Sequence, residues 1–359
     1  MIILFYLHYF VNFHKNYNSI IELKIMKALI LKNPNKFELI DTKAIEPGEE
    51  EIQIQTMVCG ICGTDFHIYQ GKHLATKYPI IPGHEVSGIV NKIGKNVISF
   101  KQGDHVVIDP NITCGYCEYC KEGKENFCIN RKSIGVNFRN GGYGEYVTVP
   151  EKIVYKIPND LSFKAAVLTE PVACIIHAFE ISKVSLGGSA IILGTGFIGL
   201  TFLQILKGMG YYPIHIMGRN PVRNKLAKKY DVDMIYTNID DLMKSQIIGK
   251  ADLVIEATGD NSILSKTIDM VSSSGKIFAF STYPSGENVS IDANKIYRKE
   301  ISLFGDFTNP YTMKKAINML NSGLIDYKNM EDCILNINEV QKIFETKEKN
   351  FIKPIISYE

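Results

Sequence analysis

The chain of 359 residues contains no uninterrupted apolar run of about 20 residues, the length that a membrane-spanning helix needs. Its formal net charge is only +2 at pH 7, and it has no basic tract of the kind that binds nucleic acid. Internal repeats and low-complexity segments are also missing. We therefore expect no membrane and no nucleic-acid partner, but a small-molecule substrate for a chain long enough to form two domains.

The first residues are not typical of a targeting signal. An apolar run interrupted by His8 opens the chain, without the basic start or the small-residue cleavage site of a signal peptide. Met26 begins the sequence MKALILKN, which is typical of a first strand. We expect residues 1–25 to be a dispensable extension, so that a chain starting at Met26 folds and stays active.

The eight cysteines are clustered, which indicates metal binding in a reducing compartment, and we expect a cytoplasmic protein. Four of them follow the spacing C-x2-C-x2-C-x7-C: Cys114, Cys117, Cys120 and Cys128. Four thiolates complete a tetrahedral Zn²⁺ site and leave no position open for substrate, so this zinc should be structural. The alternative is a set of buried or disulfide-linked cysteines.

Apolar patterning divides the chain into two kinds of structure. From Met26 to about Glu180, short strand-like runs alternate with Gly, Pro and Asn turns. After Val184, strands such as SAIILG and IHIMG alternate with helical segments, and ILSKTIDMVSSSG is predicted as one helix. This alternation predicts an α/β fold with a doubly wound parallel sheet. The tail from about Tyr311 is expected to rejoin the first part.

A glycine pattern, GTGFIG, follows the strand SAIIL and opens the next helix. Gly194 permits the tight turn, Gly196 lets the backbone approach a pyrophosphate, and Gly199 lets the helix pack closely on the strand. The helix N-terminus supplies N–H groups for the anion. This context predicts a dinucleotide site, the alternative being a structural glycine-rich turn.

The end of the second strand distinguishes NAD from NADP. Where NAD-preferring folds carry an acid that binds the ribose 2′-hydroxyl, this chain has Gly218, Arg219 and Asn220. A guanidinium can bind a 2′-phosphate with two hydrogen bonds. We expect NADP or dual use of NADP and NAD. If Arg219 only stacks on adenine or lies in solvent, NAD is the cofactor.

A second group of ligand residues surrounds the four-cysteine motif. GICGTDFHIY contains Cys62, Thr64, Asp65 and His67, PGHE contains His84 and Glu85, and TEPVACIIHA contains Glu170. One thiolate, one imidazole and one carboxylate suffice as protein ligands of a catalytic Zn²⁺, with the fourth position left for water or substrate. Each residue alone is weak evidence, and the combination with the other two motifs indicates the site.

These motifs together resemble the zinc-dependent medium-chain alcohol and polyol dehydrogenases, in particular the sorbitol, arabinitol and threonine dehydrogenase branch. The resemblance starts near Met26 and rests on GICGTD, PGHE, the four-cysteine motif, GGYGEYV, EP and GTGFIG in that order. It implies a GroES-like β-rich catalytic domain over residues 26–180 and a Rossmann domain over residues 181–310. Residues 311–359 would complete the catalytic domain.

The resemblance also implies roles at the catalytic zinc. Cys62 and His84 would be ligands, with Glu85 and Glu170 as carboxylates that exchange with water. Zinc would lower the pKa of the bound alcohol, and hydride would pass to the nicotinamide. Cys174, one helical turn beyond Glu170, is either a substitute ligand or a buried core thiol.

Three further residues receive roles through the same resemblance. Thr64 would pass the alcohol proton onward, through the cofactor ribose, to His67. Asp65 would orient the imidazole of His84. Cys59 and Cys62 form a CxxC, but a redox pair is disfavoured because the segment does not open a βαβ helix. The remaining histidines His73, His105, His177 and His215 are expected to be structural.

The substrate is expected to be a sugar alcohol, arabinitol-like or sorbitol-like, free or phosphorylated. Glu170 stands where simple alcohol dehydrogenases of this family usually carry a third thiolate. L-Threonine is the alternative, because GTDFHIY is also similar to threonine dehydrogenases. A catalytically silent nucleotide-binding member would typically lose the open zinc ligands, which this chain retains. The resemblance implies a homo-oligomer, dimer or tetramer, formed through the sheet edge near EISLFGDF.

Overall fold

The computed structural model describes residues 24–283, 286–346 and 350–359. Most of the predicted extension, residues 1–23, lies outside these ranges. The first described strand, β1 (Ile25–Asn33), begins one residue before Met26 and pairs antiparallel with β2 (Lys36–Lys43). Alternate residues of β1 are buried, as expected for a strand that lies on a core with one face.

A seven-stranded sheet forms the β-rich part of the molecule. Its strands are β3 (Glu51–Gly60), β4 (Glu85–Ile93), β5 (His105–Ile108), β8 (Tyr146–Pro150), β9 (Val154–Lys156), β16 (Cys333–Leu335) and β17 (Pro354–Ser357). Their order is β16-β17-β3-β4-β5-β9, with β8 also paired to β3. The helix α1 (Gly63–Tyr69) follows β3. The two C-terminal strands therefore belong to the sheet that begins near the start of the chain.

The four-cysteine motif lies in a small lobe between β5 and β8. The lobe contains a two-stranded ribbon, β6 (Asn111–Ile112) and β7 (Lys132–Ser133), and a short helix, α2 (Glu118–Lys121). A 3-10 turn, Glu125–Phe127, precedes the last cysteine. So little regular structure and so small an apolar core indicate that the lobe depends on a cross-link such as a metal ion.

Two helices connect this region to the second sheet. They are α3 (Phe163–Ala166) and α4 (Thr169–Ser182), and α3 begins at Ser162, whose hydroxyl caps the N–H of Ala165. In the described part of the chain, Phe163–Ser182 is the one stretch long and apolar enough to cross a membrane, and 72% of it is buried inside the fold. The burial explains its apolar composition, because α4 packs between the two sheets.

The second sheet is parallel and six-stranded. Its strands are β10 (Gly188–Leu193), β11 (Tyr211–Met217), β12 (Met234–Tyr236), β13 (Ala251–Glu256), β14 (Val271–Ala279) and β15 (Ser302–Gly305). The order β12-β11-β10-β13-β14-β15 places the chain reversal between β10 and β13. Ligands of such sheets bind at the carboxyl ends of the strands at this reversal.

Helices cover both faces of this sheet. They are α5 (Phe197–Gly208), α6 (Pro221–Lys229), α7 (Ile239–Met243), α8 (Asn261–Leu264), α9 (Thr267–Met270) and α10 (Ala293–Lys299). The single helix predicted over ILSKTIDMVSSSG is wrong: two short helices are followed at Val271 by β14. Pairing of β14 with β13 and β15 overrides the local helical pattern.

The tail contains α11 (Met313–Asn321), a 3-10 turn, Ile337–Glu339, and α12 (Val340–Glu345). The hydroxyl of Thr312 donates to the carbonyl of Ala173 in α4 at 2.8 Å, so α11 is held against the connecting helix. From there the chain returns to β17, where Ile355 lies opposite Gly60 of β3.

Candidate active site

The four lobe cysteines lie close enough to share one ion. The Sγ atoms of Cys114 and Cys128 are 3.5 Å apart, as are those of Cys117 and Cys120. The Cys114 and Cys120 sulfurs are 3.9 Å apart. Zinc with Zn–S bonds of about 2.3 Å in a tetrahedron places its sulfurs about 3.8 Å apart, so the spacing fits four-thiolate coordination.

Backbone N–H groups supply hydrogen bonds to these sulfurs. The N–H of Cys117 donates to Sγ of Cys114 at 3.4 Å, and the N–H of Cys114 donates to Sγ of Cys128 at 3.3 Å. Desolvation raises the pKa of Cys114, but hydrogen bonds from Tyr116 and Cys117 outweigh it and lower that pKa to about 6. These hydrogen bonds favour the thiolate form of Cys114, the form that binds metal.

A second ligand group, Cys62, His84 and Glu85, lies at the ends of two paired strands. One ligand atom from each lies within 4.8 Å of the others. Gly60 at the end of β3 pairs with Glu85 at the start of β4, which places Cys62 beside His84. A Cβ at position 60 would lie 1.9 Å from Oε2 of Glu85, so glycine is required there. One thiol, one imidazole and one carboxylate fit a zinc ion with an open position.

Asp65 contacts two members of this group. Its Oδ2 accepts from the backbone N–H of Cys62 at 2.8 Å, and its Oδ1 lies 3.4 Å from Nδ1 of His84. Burial lowers the pKa of His84, but Asp65 and Cys62 outweigh it and raise that pKa well above its ordinary value. Zinc would compete with protons at this group, because imidazole and thiol bind a metal in their deprotonated forms.

Glu85 is paired with a lysine from the far end of the chain. Lys353 Nζ donates to Oε1 of Glu85 at 2.6 Å, and both side chains are almost completely buried. The sequence did not indicate Lys353. The ion pair balances the charge of the Glu85 carboxylate and thus competes with the ligand role that the resemblance implies for Glu85, but Oε2 of Glu85 has no hydrogen-bond partner among the described residues.

Glu170 lies beside this group but not within it. The thiol of Cys174, one turn further along α4, donates to Oε1 of Glu170 at 3.7 Å. Burial raises the pKa of Glu170 to about 7, and His84 partly opposes this rise. The charge of the His84 imidazole therefore affects the pKa of Glu170. Cys174 contacts the Glu170 carboxylate and not the metal group. The ligand roles of both residues stay predictions.

Thr64 and His67 both lie on α1, directly after the metal ligand Cys62. Their spacing of three residues places them on the same face of the helix. Both side chains are partly exposed. This position, beside the open metal group and accessible from solvent, is suited to proton transfer, and the roles stay predictions.

The glycine pattern has the conformation that its spacing predicts. Gly194 has a φ of 116°, and Gly196 is the N-cap of α5. A Cβ at Gly199 would lie 1.9 Å from the carbonyl oxygen of Gly194, so the helix can approach the strand only without a side chain there. The N–H groups of the first turn of α5 are thereby available to an anion.

A cavity of about 240 Å³ lies over this helix N-terminus. Its lining consists of Gly194, Thr195, Gly196, Met217, Gly218, Arg219, Asn220, Arg223, Ala257 and Thr258. Gly218 directly follows β11, and a Cβ there would lie 2.1 Å from Oγ1 of Thr195. Arg219 is exposed at the edge of the cavity, and Asn220 caps α6 through the N–H groups of Val222 and Arg223.

A second arginine, Arg223, lies near the N-terminus of α5. Its Nη1 is 3.9 Å from the position that a Cβ of Gly196 would occupy. Its Nε and Nη2 donate to the carbonyl of Phe351 at 3.0 and 2.6 Å. Asn220 Nδ2 donates to Asn350 at 3.0 Å. The cofactor cavity is therefore joined to the same C-terminal tail that supplies Lys353.

Glu256, at the end of β13, is another residue that the sequence did not indicate. It is completely buried and accepts from the N–H groups of Thr258 at 2.7 Å and Gly259 at 3.2 Å. The hydroxyls of Thr258 and Tyr283 also donate to it. Glu256 therefore fixes the loop that forms one wall of the cavity.

Comparison with known proteins shows the family of the chain. The family model for the alcohol dehydrogenase GroES-like domain matches residues 48–159, and the model for zinc-binding dehydrogenases matches residues 198–322. D-arabinitol dehydrogenase 1 of Uromyces fabae is 30% identical over 328 residues, which cover 89% of this chain and 93% of that protein. D-arabitol-phosphate dehydrogenase of Enterococcus avium is 32% identical over 345 residues, covering 93% and 97%.

Solved structures share the same fold. A crystal structure from Sinorhizobium meliloti 1021, assigned to the zinc-binding dehydrogenases and bound to NADP, has a TM-score of 0.88 at 28% identity and covers 93% of this chain and 99% of its own. An alcohol dehydrogenase of Escherichia coli CFT073 in complex with NADH has a TM-score of 0.85 at 28% identity, covering 93% and 99%. The predicted fold class, a GroES-like part joined to a Rossmann part, is confirmed.

Proposed function

Because the chain belongs to the zinc-dependent medium-chain alcohol and polyol dehydrogenase family, we propose that it transfers hydride between a sugar alcohol and NADP or NAD. The single observation that carries this proposal is the open ligand group of Cys62, His84 and Glu85 in the same chain as the dinucleotide cavity. The proposed substrate is arabinitol-like or sorbitol-like, free or phosphorylated.

Zinc held by Cys62 and His84, with a carboxylate from Glu85 or Glu170, would act as a Lewis acid toward the alcohol oxygen. Asp65 holds His84 and the backbone of Cys62 in position. The four-cysteine lobe would hold a second, structural zinc.

Thr64 and His67 are proposed to move the alcohol proton to solvent. Thr64 can accept the proton and donate its own, because a hydroxyl is both donor and acceptor. His67 is partly exposed and can release the proton to water. The glycine turn and the first turn of α5 would hold the cofactor pyrophosphate.

NADP is the proposed preference, because the cavity edge carries Arg219 and Arg223 and none of its lining residues is an acid. Arg219→Ser should lower kcat/KM for NADP⁺ about 10- to 100-fold, the worth of hydrogen bonds to a charged phosphate, and leave NAD⁺ within about twofold. Lys225→Ser removes an exposed charge from α6, the helix that follows Arg219, and is the matched control. A wild-type chain that strongly prefers NAD⁺ would contradict the preference.

The first experiment is a spectrophotometric screen at 340 nm of the zinc-loaded protein. It crosses D-arabinitol, sorbitol, their phosphates and L-threonine with NAD⁺ and NADP⁺. Turnover of a polyol supports the proposal. Turnover of L-threonine alone replaces it with a threonine dehydrogenase. No turnover at two zinc ions per chain leaves a catalytically silent nucleotide-binding member.

A homo-oligomer is also proposed, through strand β15. This strand is the edge of the parallel sheet, and Leu303 on it is 42% exposed. Unpaired edges of this kind associate readily with another copy. A cytoplasmic location agrees with the eight cysteines, which are all free thiols.

A further inference from the structure

Asp306 carries a buried carboxylate to which the proposed reaction gives no role. It directly follows β15, and only 7% of its side chain is exposed. Its Oδ1 is fully buried and has no hydrogen-bond partner in the part of the chain that the structure describes. A buried acceptor without a partner is costly, and such groups are usually satisfied by a ligand, an ion or water.

His177, which was expected to be structural, faces this oxygen across a gap. Its Nε2 lies 4.0 Å from Oδ1 of Asp306, too far for a direct hydrogen bond. Burial lowers the pKa of His177, so the imidazole is neutral and offers one donor and one acceptor. A hydroxyl placed beside the gap could accept from Nε2 and donate to Oδ1.

The gap lies along the same face of α4 as Glu170, the acid beside the metal group. Glu170, Cys174 and His177 are separated by four and three residues, the spacing of one helical face. The rise from Glu170 to His177 is about 10 Å. Burial, and after it the Glu170 carboxylate, raise the pKa of Asp306 to about 8, so near neutral pH Asp306 is largely a protonated acid that can both donate and accept a hydrogen bond.

Contacts on two sides hold the segment around Asp306 in place. Asn126 of the lobe donates to the carbonyl of Phe307 at 3.2 Å, and the Arg131 guanidinium lies 4.7 Å from the Phe307 ring centroid. On the other side, Thr312 donates to the carbonyl of Ala173. The carboxylate is therefore fixed before any ligand arrives, as a specificity site requires.

We propose that Asp306, with His177, binds a hydroxyl group of the substrate beyond the reacting carbon, and that Asp306 thereby determines selectivity for polyols over simple alcohols. This inference rests on the proposed function, since it assigns a subsite to the same substrate. A hydroxyl both donates and accepts, so it matches an imidazole N–H and a carboxyl oxygen at once, whether Asp306 is protonated or ionised.

The test compares D-arabinitol and sorbitol with propan-2-ol in wild type, Asp306→Leu and Asp306→Asn. Leucine removes the acceptor at similar volume, whereas asparagine retains an oxygen acceptor. We expect Asp306→Leu to lower kcat/KM for the polyols about 10- to 100-fold and to leave propan-2-ol within about twofold. Asp306→Asn should lie between Asp306→Leu and wild type. Glu180→Gln, at the exposed end of the same helix, is the matched control.

A second measurement does not need turnover. The thermal shift produced by D-arabinitol in the presence of cofactor should be smaller in Asp306→Leu than in wild type, because ligand that binds only the folded state raises Tm. If Asp306→Leu does not fold, Asp306→Asn carries the comparison in both measurements.

The outcomes separate the two proposals. A wild-type chain that oxidises polyols, combined with an unchanged polyol to propan-2-ol ratio in both variants, overturns the subsite and leaves the proposed function standing. The subsite is also overturned if Asp306→Leu changes only the Tm that is measured without cofactor and substrate. A purely structural acid would give that result. A wild-type chain that oxidises no polyol overturns both.

Discussion

The two metal-ligand groups differ in how they are built. The lobe takes four identical ligands from residues 114–128, and its sulfurs accept hydrogen bonds from the backbone of the same segment. The open group takes unlike ligands from separate segments, and Asp65 and Lys353 also contact those ligands. We expect the local group of four cysteines to leave no position open for substrate and to serve folding. In the dispersed group, Lys353 and a metal ion compete for the carboxylate of Glu85, and this competition would let that ligand exchange during a reaction.

The largest effect is expected when a ligand of the open group alone is replaced. Cys62→Ser should lower kcat roughly 10³-fold or more, because Lewis-acid stabilisation is worth several kcal/mol, while Tm changes little. Zinc content, measured by metal analysis, should fall from two to one per chain. Cys333→Ser, a thiol outside both groups, is the control. Retention of two zinc ions and of activity would remove Cys62 from the ligand set.

Breaking the closed group should give the opposite pattern. Cys117→Ser should also lose one zinc, but it should reduce the free energy of unfolding by about 5 kcal/mol or more, because zinc binding contributes directly to folding. Activity per folded molecule should remain well above that of Cys62→Ser. Thermal unfolding and active-site titration provide the measurement. Equal losses of activity in the two variants would mean that the groups are not functionally distinct.

The ion pair between Lys353 and Glu85 tests whether Glu85 has a partner that competes with a metal ion. Lys353→Met leaves the Glu85 carboxylate buried and unpaired, and should reduce the free energy of unfolding by about 3–5 kcal/mol. The double variant Lys353→Met with Glu85→Gln should recover part of this loss. Lys92→Met removes an exposed partner of Glu46 and should cost at most about 1 kcal/mol. Chemical denaturation of wild type, Lys353→Met, Glu85→Gln and the double variant measures the coupling.

The smallest effect is expected from replacing Asp65, which contacts the ligands of the open group but is not itself a predicted ligand. This change compares the two groups without removing a ligand from either. Asp65→Asn should weaken zinc binding at the open group about 10- to 100-fold, since the carboxylate orients His84, and should leave the lobe zinc in place. Competition with a chelator measures both affinities in one protein. Asp231→Asn, on a side chain that is 92% exposed, is the control. An unchanged affinity at the open group would show that Asp65 acts only as the cap of α1.

The sequence predicted the features that depend on short segments. The four-cysteine spacing, the glycine turn and the order of strands and helices all lie within local patterns, and the fold class was predicted correctly. The helix predicted over ILSKTIDMVSSSG failed because Val271 pairs with Ala251 of β13 and begins β14. Local pattern cannot anticipate such pairing.

Contacts between distant residues could not be predicted in the same way. Lys353 reaches Glu85 across 268 positions, and nothing in FIKPII distinguishes it from a surface lysine. Asp306 lies in the segment EISLFGDF, which the sequence predicted only to be a sheet edge. The burial of its side chain depends on packing against α4. The sequence indicated the candidate ligands, whose roles stay predictions, whereas the residues that contact them became visible only in three dimensions.

The late position of Lys353 has a consequence for the order of events during synthesis. Glu85 leaves the ribosome 268 residues before its partner. At translation rates of about 5–20 residues per second, that interval lasts roughly 10–50 s. Throughout it, the sheet edge at β3 has no β17 beside it and the carboxylate has no ammonium. The β-rich part therefore reaches its final form only after the whole Rossmann part has been made.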